Sequence, residues 1–81
     1  MNVDNADLVT LTFEERDAGK IARVTFNNPA KRNALGVDGK TRFIEVMRSL
    51  RHDDSLRAVV LTGAGDRSFV GGTDLAEMAE F

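Results

Sequence analysis

The chain contains no cysteine, so neither disulfide bonds nor thiolate metal ligands can support its fold or its chemistry. Its one histidine, His52, cannot build a metal site unaided. No stretch approaches the roughly 18 apolar residues of a membrane-spanning helix. The opening residues, MNVDNADL, are acidic and polar and lack the charged-then-apolar layout of a secretory signal, which with the missing cysteine makes the cytoplasm the expected compartment. A basic surplus is missing too. The formal net charge of −2 argues against nucleic acid as the main partner, because phosphate binding usually shows as excess Lys and Arg.

What is present reads as an ordinary globular chain, 42% hydrophobic and 30% charged. With 81 residues it holds at most one small domain. A chain of this size buries only about 60% of its unfolded surface, so a core built from it alone is marginal.

Two segments alternate with period 2. In LVTLTFEERD, Val9, Leu11 and Phe13 oppose Thr10, Thr12 and Glu14; in IARVTF, Ala22, Val24 and Phe26 share a face. Each pattern is that of a half-buried strand, and the intervening DAGK supplies a turn with Gly19 at positive φ, so the pair reads as an antiparallel hairpin. Pro29, the single proline, ends the second strand. From Asp38, the expected N-cap, the period becomes helical. Phe43, Val46, Met47 and Leu50 form a stripe that Ile44 widens, while Lys40, Arg42, Glu45, Arg48 and Arg51 face outward. The helix should stop before Asp53 and Asp54, whose charges oppose its C-terminal dipole.

Ala58–Leu61 is apolar without alternation, as in a strand covered on both faces. Strand 21–26, helix 38–51 and strand 57–62 therefore read as a βαβ unit with a right-handed crossover. One hairpin and one helix cannot cover both faces of the last strand. Asp74 and Glu77 form a capping-box arrangement that opens a further helix close to the chain end. The expected organisation of residues 1–81 is thus the N-terminal segment of a larger α/β domain, cut at the start of a helix, with the uncovered strand favouring association or partial unfolding.

GAGDRSFVGG after a strand invites a nucleotide-loop reading. Gly63 and Gly65 fit the dinucleotide fingerprint, but Ser68 takes the third glycine's place and Phe69-Val70 follows instead of a helix. Gly71-Gly72-Thr73-Asp74 is more informative. If Asp74 caps a helix, backbone N–H groups gather at its positive end, and the two glycines admit a ligand oxygen to the N–H of Thr73. Such a donor is half of an oxyanion hole. Spacing alone favours the simpler reading of these four residues, a tight turn followed by a cap.

IARVTFNNPAKRNALG followed by LRAVVLTGAGDRSFVGGTDLAEM resembles the N-terminal part of the enoyl-CoA hydratase/isomerase (crotonase) family, over nearly all of the chain from Leu8 to Phe81. The resemblance implies a spiral of ββα turns, trimers or hexamers of the complete protein, and acyl-CoA thioesters as substrates without metal or redox cofactor. It implies that the Thr73 N–H is the first oxyanion-hole donor and that Gly71, Gly72, Asp74 and Leu75 belong to the thioester-binding stretch. Lys31, Arg32, Asn33 and Ala34 match the loop along the nucleotide end of coenzyme A; Arg67 is a further candidate phosphate partner. The family often carries Ala where Thr73 stands. Its second oxyanion amide and acid/base glutamates match no residue of this sequence, so the 81 residues alone are expected to be inactive. The rival expectation is a non-catalytic coenzyme A-binding or assembly fragment.

Overall fold

The structure, a computed structural model, describes residues 5–72. A four-residue helix α1 (Asn5–Leu8) leads into strand β1 (Val9–Arg16), which pairs antiparallel with β2 (Gly19–Phe26) from Val9↔Phe26 to Arg16↔Gly19. A short 3-10 turn (Pro29–Lys31) and helix α2 (Val37–Leu50) follow, and β3 (Leu56–Gly63) then pairs parallel with β2. The sheet order is β1-β2-β3, the expected hairpin continued by a βαβ unit. Gly19 takes φ +138°, and a Cβ there would strike the Ser55 carbonyl oxygen, so the hairpin turn requires glycine for conformation and for space.

The core lies between α2 and the face of the sheet that carries Ala22, Val24 and Phe26. These residues are buried with Val9, Val46 and Leu50, and Leu11, Phe43 and Met47 pack around them. The stripe read from helical periodicity is therefore the buried one. Ile44 is not part of it: half exposed, it borders an open apolar cleft of about 440 Å³ with Phe43, Met47, Leu56 and Val59. Arg42 also departs from the outward expectation, because it is half-buried and its Nε donates to the Val9 carbonyl at 3.1 Å. The helix starts one residue earlier than read, with Gly36 as N-cap and Asp38 inside the first turn, where its charge still favours the positive dipole end.

Strand β3 is left uncovered, as expected of a segment with one hairpin and one helix. Register places Val59 beside Ala22 and Leu61 beside Val24, on the helix side, but α2 leans over β1 and β2 and leaves them open. Val59, Val60 and Leu61 are 37%, 38% and 43% exposed. The run is composed for burial on two faces, and the described residues supply little cover for either. No helix among the described residues is long and apolar enough to cross a membrane.

One ion pair ties the start of β2 to the connection entering β3. Lys20 Nζ donates to Asp53 Oδ2 at 2.7 Å, and the Ser55 hydroxyl and amide donate to Asp53 Oδ1 at 2.6 and 3.0 Å. The Lys20 ammonium first, and Ser55 second, hold the Asp53 carboxyl down at about 2 instead of 3.8. A carboxylate depressed in the folded state stabilises above its unfolded pKa, and that contribution fades as pH falls toward the folded value. Asp53→Asn should therefore weaken the fold at neutral pH, and its difference from wild type should shrink between about pH 4 and about pH 2. Denaturant titrations of both proteins across that window check this; a pH-independent difference rules the pair out as the cause.

Candidate functional site

Two loops meet at the C-terminal end of the parallel strands, the crevice where open α/β sheets place their ligands. The first, residues 27–36, leaves β2 and enters α2. The second, residues 64–72, leaves β3. Asn28 precedes the 3-10 turn, and Arg32 and Asn33 both take left-handed backbone conformations, φ 54° and 58°. Asn tolerates this region because its short side chain bonds locally; Arg32 adopts it at a cost of about 1–2 kcal/mol.

Asn33 is 1% exposed, and all of its side-chain polarity is used internally. Its Oδ1 accepts from the Asn28 N–H at 2.9 Å. Its Nδ2 donates to the Ala64 carbonyl at 3.0 Å and to the Ser68 carbonyl at 2.8 Å, across the gap between the loops. Further along, the Leu35 N–H donates to the Gly72 carbonyl at 2.7 Å. Phe69 sets its edge against the Phe26 ring, centroids 5.4 Å apart, and pins the middle of the second loop to the core.

The adjacent glycines serve different purposes. A Cβ on Gly71 would sit 2.6 Å from the Arg32 carbonyl oxygen, so this glycine permits backbone to pass against backbone. Gly72 has φ +95°, and a Cβ there would meet nothing within 4 Å. Here glycine answers a conformational demand and leaves open space beside it. Gly63 is tighter still: a Cβ there would strike the Ser68 and Phe69 carbonyl oxygens and lie 2.8 Å from Asn33 Nδ2.

Between the loops lies a cleft of about 350 Å³, bounded by Pro29, Ala30 and Arg32 on one side and by Gly65, Asp66 and Arg67 on the other. Arg32 and Arg67 give it two guanidinium groups suited to phosphate or carboxylate oxygens, with one carboxylate among them.

Of the residues singled out from sequence, Lys31 and Arg32 are exposed on the first loop, Ala34 is half-buried and Gly71 and Gly72 are exposed. Asn33 points inward, joined to backbone, so its side chain is a tie between loops and not a free ligand donor. Thr73, Asp74 and Leu75 lie outside the described residues, as does the expected capping box. Sequence reading missed the part played by the backbones of Asn28, Ala64 and Ser68, and no residue pattern signals it, because their carbonyl and amide groups are common to nearly every residue type. His52 is exposed just past the C-terminal end of α2, the end opposite the first loop.

The comparison with known proteins agrees with this architecture. Residues 16–81 match the family model of enoyl-CoA hydratase/isomerase. The chain is 45% identical over 62 residues to a short-chain-enoyl-CoA hydratase of Clostridium acetobutylicum, covering 76% of this chain and 24% of that enzyme. It is 40% identical over 55 residues to an (E)-benzylidenesuccinyl-CoA hydratase of Thauera aromatica, covering 68% of this chain and 22% of the relative. A crystal structure of an enoyl-CoA hydratase from Mycobacterium tuberculosis superposes with a TM-score of 0.78 at 34% identity, covering 90% of this chain and 31% of that one. The chain thus spans about a quarter of the length of the curated relatives it matches. Matched by the family model over residues 16–81 and superposing on a solved hydratase over 90% of its length, the chain belongs to the enoyl-CoA hydratase/isomerase, or crotonase, family and corresponds to the N-terminal segment of its fold.

Proposed function

We propose that this segment binds an acyl-CoA thioester and contributes one donor to its oxyanion hole, as part of an enoyl-CoA hydratase/isomerase-type enzyme. The observation that carries the reading is the closure of the two loops on one another. It sets the basic Lys31–Arg32 turn beside Gly71–Gly72, so that one bound molecule can touch cations at its phosphate end and the glycine run at its thioester end. In this reading Lys31 and Arg32 meet phosphate oxygens, and Ala34 lines the same edge. Gly72 leaves room for the thioester, and the Thr73 N–H donates to the thioester oxygen. In the same reading Asp74 is the cap of a following helix, and Leu75 belongs with it to the thioester-binding stretch. Negative charge grows on the oxygen as the enolate-like intermediate forms, so a donor fixed in advance lowers the barrier without reorganising. Acyl-CoA is the substrate, and no further cofactor is invoked.

The two curated relatives carry different acyl groups in their names, short-chain enoyl and benzylidenesuccinyl, while sharing this segment. That favours a role at the part of the substrate they have in common, the coenzyme A thioester, over a role in acyl selection. Titration of the ¹⁵N-labelled chain with crotonyl-CoA should shift the amide signals of Arg32, Gly71 and Gly72, and added salt should weaken the response through the phosphate contacts. A titration that moves neither loop would overturn the reading. The exposed β3 favours a second reading, an assembly segment without turnover, for which coenzyme A leaves both loops unmoved while the β3 signals respond to protein concentration.

A further inference from the structure

We infer that Asn33 is a positioning residue: its side-chain amide sets the path of the Gly71–Gly72 run by holding the second loop on the first. The inference rests on the proposed thioester reading for its functional meaning, but its geometry stands apart from it.

The two loops are separated by all of α2 and β3, so nothing local holds them together. They are joined by the Leu35 N–H to Gly72 carbonyl bond and by the two bonds from Asn33 Nδ2. The Asn33 bonds grip the second loop at both ends of its bend, at Ala64 where it leaves β3 and at Ser68 just before the Phe69 anchor. Its Oδ1 is committed to Asn28 on its own loop, which fixes the orientation of the amide and aims both Nδ2 hydrogens across the gap. Asparagine meets the whole requirement. It offers one acceptor and two donors on a short side chain, and it accepts the left-handed backbone found at this position. Aspartate, of nearly the same shape, keeps the acceptor but would turn a carboxylate oxygen toward two carbonyl oxygens. Alanine would leave the Ala64 and Ser68 carbonyls and the Asn28 N–H without this partner in a buried place.

Gly71 adds the reason that such a tie matters for the thioester run. It slides past the Arg32 carbonyl with no room for a side chain, so a small shift of the second loop opens or closes the space in front of Gly72. Holding that run still before substrate arrives is what an oxyanion donor needs.

The test uses the 81-residue chain and hydrogen exchange by NMR. In the wild type, where a protected Val24 amide reports the folded sheet, the Asn33 side-chain NH₂ should also be protected; an NH₂ that exchanges as fast as a free amide beside a protected Val24 overturns the inference without any variant. In Asn33→Ala and Asn33→Asp, exchange of the Leu35 amide should accelerate by about 10- to 100-fold after correction for intrinsic rates. The Val24 amide, in the middle of the sheet, should hold its protection. Equal acceleration at Leu35 and Val24 overturns the inference, because it describes a general loss of stability and no local tie. The same samples titrated with crotonyl-CoA separate the two readings. A protected Asn33 amide with no response of Arg32 or Gly72 to crotonyl-CoA leaves the tie standing and counts against the proposed function.

Discussion

Thr73→Pro is expected to lower turnover by about 10²–10³-fold, while Thr73→Ala changes it only modestly. The enzyme for this measurement is a chimaera in which this chain replaces the matching segment of the Clostridium acetobutylicum short-chain-enoyl-CoA hydratase, assayed with a short-chain enoyl-CoA. Alanine removes the hydroxyl and keeps the backbone N–H. Proline removes the N–H itself, at a position that on the capping argument lies just outside a helix, where its ring does not break the helical ladder. The charge on the thioester oxygen develops in the transition state, so a lost donor appears in kcat more than in substrate binding. Proline also restrains Gly72, whose φ of +95° already needs glycine, so fold and coenzyme A affinity are measured beside the rate. A folded proline variant with near-normal turnover, beside an alanine variant that loses it, would transfer the role to the hydroxyl.

The second large effect concerns stability. Gly63→Ala places a methyl group against two backbone carbonyls and the Asn33 amide at once, and none of the three is the free end of a flexible side chain. Overpacking of this kind costs about 1–3 kcal/mol, and the upper end is expected because the clash also disturbs the Asn33 bonds. Gly72→Ala meets nothing within 4 Å and carries only the strain of its positive φ, about 1–2 kcal/mol. Urea denaturation of the two variants in the same chimaera should rank Gly63→Ala as the more damaging, and the reverse order would mean that the second loop yields easily around the end of β3.

The two substitutions also mark what sequence can and cannot show. Period-2 alternation identified Val9, Ala22, Val24 and Phe26, and helical spacing identified Val46 and Leu50, because burial against one continuous core imposes a repeat on the chain. The elements fell within about two residues of their observed ends, the ordinary uncertainty of helix and strand termini. Ile44 and Phe13 carry the same apolar signature as the core residues but are half exposed, since periodicity says which face a residue occupies and not how far the covering element extends. At the site the limit is different. Gly71 and Gly72 look alike in sequence, yet one answers to the Arg32 carbonyl and the other to its own backbone angle. Asn33 stands beside Lys31 and Arg32 in what reads as a polar surface turn. Its inward orientation depends on the carbonyl groups of Ala64 and Ser68, far along the chain, which no local pattern encodes.

The parallel pairing of β2 with β3 also dictates an order of events as the chain emerges during synthesis. β1 and β2 are joined by a tight turn and meet as soon as both exist, whereas Ile21 must wait for Ala58 before its other edge is occupied. Contacts so distant in sequence form late, because the entropy of closing the intervening chain is lost before any pairing is gained. Throughout that interval β2, the most buried strand of the finished sheet, presents an open edge. The apolar side chains of α2 reach its face before the last strand arrives, but the edge itself stays open until β3 pairs with it.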